Sequence, residues 1–428
     1  MSASDSSRDP ASSRNADSSR DLDLVVFGTT GFVGRLVAEY LAKAAPANAR
    51  IGLAGRSLTK LEAVRASLGP AAAEWPLIVA DANDSVSIAD LVARTRAVAT
   101  TVGPYAKYGR LLVDTCADLG THYVDLTGEA LFVRDSIDAN HNRAITTGTK
   151  IVHSCGFDSI PSDLGVHVLH QAVVKDGEGE LTDTTLVVTD MRGGVSGGTI
   201  DSLRTQVTES VKDPSLRRLA ASPYTLSPDR AAEPDLGRQT DVEIVKAAKV
   251  DPKLRGWLAP FVMASYNTRI VRRTNSLRNW VYGRKFRYRE AMSVGSSPLS
   301  LPIAAGVAAG MGALVAGLAL RPTRALLDRV LPKPGEGPSE ESRNKGRFTM
   351  DIFTTTSTGA RYSSRVRAHG DPGYQATAVM LGEAALALID DEVALPESTG
   401  VLTPATAFGD VLVDRLRDAG FEFSTRRL

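Results

Sequence analysis

The pattern of apolar and polar positions over residues 22–160 alternates between short apolar runs and longer stretches with helical spacing. Residues 22–27 form a short, strongly apolar run, which is typical of a strand buried on both faces of a parallel sheet. Residues 35–43 have helical spacing, and 50–54 form the next apolar run. The runs at 75–80, 97–102 and 150–156 predict further strands. This alternation predicts an α/β fold with a Rossmann-type, doubly wound parallel sheet.

A glycine-rich turn joins the first predicted strand to the first helix. Gly28 and Gly31 would let the backbone approach a pyrophosphate closely, and Gly34 would let the helix pack against the strand. The helix start offers unpaired N–H groups and a partial positive charge to phosphates. The alternative, a turn without a ligand, is disfavoured by the strand and helix on either side. The cofactor-binding residues predicted here are Gly28, Thr29, Thr30, Gly31, Phe32 and Gly34.

The end of the second strand distinguishes between the two nicotinamide cofactors. NAD-selective sites place an acidic residue there to accept a hydrogen bond from the ribose 2′-hydroxyl. This chain has Gly55, Arg56 and Ser57 instead. A guanidinium pairs well with a 2′-phosphate, although Arg56 could also be a solvated surface arginine. We therefore predict NADP(H) as the cofactor, with Arg56 and Ser57 in contact with it.

Two further turns lie where the carboxyl ends of predicted strands place ligands in open α/β folds. Asp81 follows the third strand, and it could meet the adenine region or cap the next helix. Gly103 and Pro104 follow the fourth strand. We predict that all three residues line the cofactor site.

Hydride transfer is the cofactor's own chemistry, so the protein must supply position, charge stabilisation and a proton. Our catalytic candidates are Tyr105, Asp125 and Asp158, and Tyr105 is the preferred proton donor because it follows Gly-Pro at a ligand-facing edge. Each has a local alternative: the two acids could cap helices, and Tyr105 could cover the nicotinamide. Nearby polar residues that remain open as candidates are Thr127, Glu129 and Ser159.

The pattern changes after residue 180. Residues 181–190 alternate and are β-branched, and 348–356 with 360–368 resemble a hairpin. A glycine-rich turn at 193–199 precedes a predicted helix from Ile200; a plain strand–helix connection is favoured there over a phosphate site. Residues 374–389 are predicted to be helical and 331–347 an exposed loop.

Residues 291–320 contain no charged side chain, and arginines flank them at 287, 289, 321 and 324. The 301–320 core is long enough to cross a bilayer but is rich in Ala and Gly. Gly306 and Gly310 form a small-xxx-small pattern that suits close helix packing. Three interpretations stay open: a membrane-inserted hairpin or monotopic anchor, a dimer-interface helix, and a buried core helix.

Composition excludes several classes of function. The 428 residues carry 50 basic and 49 acidic side chains, and this balance gives no global field for nucleic acid. Two cysteines argue for a reducing compartment, and the six histidines show no metal-ligand pattern. Residues 1–20 are predicted to be a disordered arm without a secretory h-region. We expect a cytoplasmic protein, or one peripheral to the inner face of the plasma membrane.

Nine segments of the chain together carry a family resemblance: 26–34, 54–57, 101–105, 123–129, 155–163, 267–274, 337–339, 373–378 and 400–404. On these segments the chain resembles the saccharopine dehydrogenase-like oxidoreductases. Within that family it is most similar to the mycobacterial trans-acting enoyl reductases, which act on chains carried by a polyketide synthase. Those proteins function in making phthiocerol dimycocerosates and phenolic glycolipids.

The resemblance implies an organisation and a reaction. It implies an NADP-binding domain at 21–160, a second α/β substrate or dimerisation domain at 161–372, and a C-terminal segment at 373–428 that packs back on the first. It also implies NADPH-dependent reduction of an enoyl group on a synthase-bound or lipid-like acyl chain, with a homodimer as one further expectation. The alternatives are an NADP-binding, lipid-associated scaffold and a saccharopine-type amino-acid dehydrogenase. Arg269, Arg272 and Arg273 could bind carboxylates in that dehydrogenase, although surface or docking arginines are favoured.

Overall fold

A computed structural model of the protein describes residues 20–193, 197–327 and 337–428. In chain order, the elements of the first part are β1 (Leu22–Phe27), α1 (Phe32–Ala44), β2 (Ile51–Gly55), α2 (Leu58–Ser67), β3 (Leu77–Val79), α3 (Ser85–Ala93), β4 (Thr95–Thr100), α4 (Tyr105–Tyr108), α5 (Arg110–Leu119), β5 (His122–Asp125), α6 (Ala130–Thr147), β6 (Lys150–Val152) and α7 (Ile160–Lys175).

The remaining described elements begin with a long strand. They are β7 (Leu181–Arg192), α8 (Gly197–Lys212), α9 (Pro214–Ala221), β8 (Val245–Lys246), β9 (Trp257–Pro260), α10 (Ala264–Leu277), β10 (Arg287–Ser293), α11 (Ser300–Ala319), α12 (Arg321–Leu327), α13 (Glu340–Asn344), β11 (Arg347–Thr356), β12 (Arg361–His369), α14 (Thr377–Asp390), β13 (Gly400–Leu402), α15 (Pro404–Phe408), α16 (Asp410–Asp418) and β14 (Glu422–Arg427).

The first sheet is parallel throughout, in the order β13-β6-β5-β4-β1-β2-β3. The apolar run of β1 lies at its centre, where Phe27 is opposite both Ala54 and Thr100. Leu24 belongs to one buried apolar cluster and Val25 to another. Alternate strand positions face opposite sides of a sheet, so both faces of this sheet are covered. The predicted doubly wound α/β fold is confirmed.

The second sheet is mixed, in the order β14-β12-β11-β7-β10-β9-β8. Strand β7 pairs in parallel with β10 and antiparallel with β11. The predicted hairpin is present as β11 and β12, with Phe348 opposite Ala368. The C-terminal residues contribute to both sheets rather than to the first alone, since β13 joins the first and β14 pairs with β12.

Local structure departs from the predictions in several places. Residues 1–19 of the predicted arm lie outside the described residues, but Arg20 is anchored: its guanidinium donates to Thr121 Oγ1 (2.6 Å) and to the Leu119 carbonyl (2.7 Å). The helix expected from residue 374 begins at 377, because 372–376 form a wider π-helical turn. The described part of the expected loop at 331–347 contains α13, and Arg343 stacks 5.3 Å from the Phe32 ring centroid.

The apolar segment forms the 20-residue helix α11, which is mostly exposed. Only 11% of its apolar stretch is buried. A core helix buries its apolar side chains against its own chain, so the interpretation of this segment as a core helix is wrong.

Candidate functional site

A cavity of about 740 Å³ opens at the carboxyl edge of the first sheet. One wall comes from the turns that follow β1, β2, β3 and β4. The opposite wall comes from α8, α9, the start of α10 and the π-helical turn. The predicted residues that line the cavity are Gly28, Thr30, Gly31, Phe32, Gly34, Arg56, Asp81, Gly103, Pro104, Tyr105 and Asp158.

The glycine-rich turn fits a dinucleotide because its backbone leaves no room for side chains. Gly28 has φ +98°, a conformation that favours glycine. A Cβ on Gly34 would lie 2.2 Å from the Gly28 carbonyl oxygen, so α1 could not pack this closely on the turn with any other residue. The N-cap of α1 is Gly31, which has no side chain to accept hydrogen bonds from the first helical turn. The N–H groups of the first helical turn therefore remain available for phosphate oxygens.

Thr29 and Ser57, both predicted cofactor contacts, lie outside the cavity lining. Thr29 is fully buried beneath the turn, and its hydroxyl donates to the Ala54 carbonyl oxygen at 3.3 Å. Ser57 is the residue before α2 and makes no side-chain cap there. Thr29 therefore stabilises the turn from below, while its neighbour Thr30 faces the cavity.

Arg56 and Asp81 occupy the end of the cavity beside β2 and β3. The Arg56 side chain is exposed at the end of β2, where a 2′-phosphate could reach it. Asp81 accepts a hydrogen bond from the Asn83 N–H at 2.9 Å. The helix cap that we considered for Asp81 is supplied by Asp84, which accepts from the N–H groups at the start of α3. Asp81 is thereby left facing the cavity.

Tyr105 lines the cavity, and its hydroxyl is held by the main chain. The hydroxyl donates to the Thr100 carbonyl oxygen at 3.1 Å and accepts from the Leu126 N–H at 3.2 Å. Burial and the nearby Asp125 charge raise the pKa of Tyr105 well above its usual value. Donation of this proton to a substrate would break the bond to Thr100. The geometry therefore disfavours Tyr105 as the proton donor and favours the alternative role, in which it covers the nicotinamide.

Asp125 is fully buried and lies outside the cavity lining. Its carboxylate accepts from the Tyr123 hydroxyl (2.9 Å), the Thr127 N–H (3.0 Å) and the Ser154 N–H (2.9 Å). It also lies 2.7 Å from His153 Nδ1. This set of partners organises the turns after β5 and β6, so the position of Asp125 favours a structural role over contact with a substrate.

Asp158 differs from Asp125 in having a carboxyl group that faces the cavity. Among the residues that the structure describes, it has neither a hydrogen-bond partner nor a paired cation. A Cβ placed on Gly128 would lie 3.7 Å from Asp158 Oδ2 and 3.7 Å from Met263 Cε, which locates the carboxyl between the two walls. Burial raises its pKa to about 6. Asp158 can therefore hold or release a proton near neutral pH.

Glu129 connects the two walls. Its carboxylate accepts from the Tyr105 N–H (2.9 Å) and the Ala106 N–H (2.8 Å) at the start of α4, and from the Ser202 hydroxyl (2.7 Å) on α8. Burial raises the pKa of Glu129. Of the other open candidates, Thr127 accepts from the Glu129 N–H at 3.1 Å. These contacts make Glu129 a positioning residue.

The wall from the second half of the chain was largely missed by sequence reasoning. Gly197 and Gly198 begin α8 and line the cavity, although they belong to the 193–199 turn, for which a plain strand–helix connection is favoured from the sequence. Residues 194–196 of that turn lie outside the described residues. Tyr266 on α10 also lines it, and its hydroxyl shares a hydrogen bond with Ser154. Ser159, another open candidate, donates to Asn267 on the same helix at 3.2 Å. The glycine pair at 197–198 was the one visible signal.

The arginines of α10 are buried, so their assignment to the surface is wrong. Arg272 donates to the Tyr288 carbonyl oxygen at 2.8 Å. Arg273 donates to the Leu226 and Val401 carbonyl oxygens at 2.5 and 2.6 Å, and burial lowers its pKa to about 9.

Arg269 is the member of this group that reaches the cavity. It is paired with Asp241 at 2.6 Å, which neutralises its charge locally. The guanidinium groups therefore bind the protein's own main chain and acid. They do not converge as a pocket for substrate carboxylates.

The fold and the glycine-rich edge define a dinucleotide-dependent oxidoreductase. Residues 24–152 match the family model described as the saccharopine dehydrogenase NADP-binding domain. This match assigns NADP(H) as the cofactor, in agreement with the prediction from Arg56.

Known proteins resemble the chain over nearly its whole length. A Mycobacterium tuberculosis protein named as a trans-acting enoyl reductase is 51% identical, over 96% of this chain and 98% of its own length. The trans-acting enoyl reductase of Mycobacterium bovis is 48% identical, over 96% and 99%. The chain belongs to the saccharopine dehydrogenase-like oxidoreductases, within the group of the trans-acting enoyl reductases.

A solved structure shares the architecture. Apo saccharopine dehydrogenase (L-Glu forming) from Saccharomyces cerevisiae superposes with a TM-score of 0.52 over 95% of this chain and 100% of its own. The two sequences are 12% identical, so the similarity concerns the fold alone.

Proposed function

We propose that the protein uses NADPH to reduce the carbon–carbon double bond of an enoyl thioester, with Asp158 as the proton donor. Bound NADPH supplies the hydride, which adds to the β-carbon of the substrate. The α-carbon then takes a proton, and the thioester is left saturated. The observation that carries the proposal is the carboxyl of Asp158 in the cavity, which has no partner among the described residues and has a pKa of about 6.

The residues of this chain divide the task between binding and proton transfer. The first-turn N–H groups of α1 and the guanidinium of Arg56 would hold the phosphates of the cofactor. Tyr105, held at both hydroxyl and main-chain N–H, would exclude water from the reacting atoms. Asp158 would protonate the substrate and regain its proton from solvent.

The cavity wall supports an acyl substrate. Much of the surface beyond the glycine-rich turn is apolar, with Leu126, Leu203, Val262 and Met263 along it. An alkyl chain gains free energy by leaving water for such a surface. The nearby Arg269 is already paired with Asp241, which disfavours the amino-acid dehydrogenase alternative.

The trans-acting relatives support a finer proposal about delivery. In it, the enoyl chain arrives on the carrier of a polyketide synthase, and the product enters a complex lipid of the phthiocerol dimycocerosate or phenolic glycolipid type. The alternative is an NADP-binding, lipid-associated scaffold without turnover. The two proposals can be distinguished because a scaffold would leave the double bond intact.

The test is NADPH oxidation by the full-length protein with a long-chain 2-enoyl thioester. The saturated thioester of equal length is the matched control, and saccharopine with NADP⁺ tests the amino-acid alternative. NADPH oxidation with the enoyl thioester, and no reaction with the saturated thioester or with saccharopine, supports the proposal. NADPH binding without oxidation, on both the free thioester and the carrier-bound form, would support the scaffold instead.

A further inference from the structure

Helix α11 presents apolar side chains to the outside of the protein. Ser300, Ala304 and Leu318 are its buried residues, whereas Leu301, Ile303 and Val315 are 42%, 45% and 46% exposed. It carries no charge over its 20 residues, and its most apolar 18-residue stretch has a mean hydropathy of 1.9. Large apolar surfaces of this kind mark a site of interaction.

The glycines of α11 show that its outer surface is not packed. Among the described residues, no heavy atom outside the adjacent residues and the helix's own backbone lies within 4 Å of a Cβ built on Gly306, Gly310 or Gly312. Small residues usually mark places where another chain segment comes close. The described segments leave that space open, so this surface is available to a partner.

The distribution of apolar residues favours lipid over a second protein copy. A dimer contact covers one face of a helix and leaves a polar face in water, whereas α11 is apolar around its whole circumference. Hydrocarbon would cover all the exposed faces together.

Both ends of the segment are attached to the same folded body. At the start, Ser300 Oγ accepts from the Trp257 N–H at 3.2 Å on β9. Beyond the end, Gly337 lies against the Phe32 ring, where an added Cβ would come within 2.3 Å. Residues 321–336, which connect α11 to Gly337 in the sequence, include six charged side chains, which are costly to place in hydrocarbon. The chain therefore cannot cross a bilayer and return.

We propose that α11 inserts into one leaflet of a lipid bilayer from one side and holds the protein at the membrane surface. The helix packs on α8 and β9. Residues of α8, and those that follow β9, form a wall of the cavity, so insertion places that wall next to the lipid. The proposal concerns docking alone and does not depend on the reaction proposed above.

The first test places an environment-sensitive fluorophore on the helix. The full-length Val315→Cys protein is labelled; the two native cysteines, Cys116 and Cys155, are buried and should not react. Val393→Cys, at a position 97% exposed and far from α11 in sequence, is the matched control. Phosphatidylcholine vesicles should shift the Val315→Cys emission to the blue and leave the control unchanged. An unshifted emission at Val315→Cys would overturn the proposal.

The second test removes the apolar surface and measures co-flotation with the same vesicles. Ile303→Asp with Val315→Asp should lower the vesicle-bound fraction at least about tenfold, because an aspartate is costly in hydrocarbon. The matched control, Val86→Asp with Val393→Asp, changes two exposed valines elsewhere and should float as wild type. NADPH titration confirms that each variant is folded.

Two results would contradict membrane insertion directly. Binding that requires anionic vesicles and disappears in high salt would show electrostatic adsorption rather than burial of the helix. A dimer in light scattering that Ile303→Asp with Val315→Asp dissociates, with no wild-type flotation, would assign α11 to a second copy of the chain.

Discussion

The two walls of the cavity are held in place by different means. The wall at the glycine-rich turn depends on backbone conformation, because Gly28 and Gly34 allow α1 to approach β1. The opposite wall depends on contacts between segments far apart in sequence: Arg273 joins the chain near Leu226 to β13. The comparison shows that one wall is determined locally and the other by tertiary packing.

The cost of the second wall is visible in its unpaired groups. Among the described residues, the Nε atoms of Arg269, Arg272 and Arg273 are buried without a hydrogen-bond partner. Burying such a donor is unfavourable unless the other contacts of the guanidinium compensate. The second wall therefore concentrates buried guanidinium groups, with satisfied and unsatisfied N–H donors, in one helix.

The largest expected effect comes from the carboxyl between the walls. Asp158→Asn should lower kcat by about 10²- to 10⁴-fold, the range of general acid catalysis, and leave NADPH affinity unchanged. Asp201→Asn is the matched control, since Asp201 also lines the cavity but is paired with Arg204 at 2.8 Å. Steady-state NADPH oxidation measures kcat for both variants. An equal loss of kcat in Asp158→Asn and Asp201→Asn would show that Asp158 is not the proton donor.

The pH profile follows from the same group. A proton donor must be protonated, and the protonated fraction of Asp158 falls as pH rises through its pKa of about 6. We expect kcat to be level below that pH and to fall about tenfold per pH unit above it. A wild-type profile that stays level into the alkaline range would contradict this assignment.

The next effect tests the locally determined wall. Gly34→Ala should weaken NADPH binding about 10- to 100-fold, because the new Cβ forces α1 away from the turn at a cost of about 1 to 3 kcal/mol. Gly310→Ala, also within a helix but with open space around it, should bind NADPH as wild type. Fluorescence titration measures both, and thermal melting checks that both are folded.

A smaller effect concerns the choice of cofactor. Arg56→Ala should raise the Kd for NADPH about tenfold and leave the Kd for NADH unchanged. The reason is that the guanidinium would pair with the 2′-phosphate, which NADPH carries and NADH lacks. Arg35→Ala, an exposed arginine outside the cavity lining, is the control. Loss of affinity for both nucleotides in Arg56→Ala would mean that the residue supports the fold of the turn.

The smallest expected effect is on stability and concerns Glu129, which connects the two walls. Glu129→Gln replaces one carboxylate oxygen with an NH₂ that faces an N–H donor of α4. We expect the free energy of unfolding to fall by about 1 to 2 kcal/mol, the cost of a buried unmatched group. Glu397→Gln on the exposed surface should leave it unchanged. Chemical denaturation measures both, and equal stabilities would show that Glu129 does not join the walls.

The locally determined wall could be predicted from the sequence. The spacing of Gly28, Gly31 and Gly34 between an apolar run and a helix constrains the backbone by itself, so no distant residue had to be known. The position of Arg56 was predictable for the same reason, because it directly follows a strand. The parallel sheet followed from short apolar runs that alternate with helical spacing.

The other wall could not be predicted because its residues acquire their roles through distant partners. The sequence offers no signal that Arg273 will meet carbonyl groups at 226 and 401. Asp125 ends β5 and Asp158 lies in the turn after β6, so both belong to the carboxyl edge of the sheet, yet one is surrounded by donors and the other faces the cavity. Local patterns cannot distinguish them, since the distinction depends on which side chains neighbouring turns bring close.

The most direct test of the central claim is the isotopic composition of the product. The full-length protein is incubated with unlabelled NADPH and a long-chain 2-enoyl thioester in D₂O, and the thioester is analysed by mass spectrometry and NMR. The proposed reaction predicts a saturated product with one deuterium at the α-carbon, delivered through Asp158, and hydrogen from NADPH at the β-carbon. An unreduced thioester in the presence of bound NADPH, or deuterium at the β-carbon, would contradict the proposed reaction.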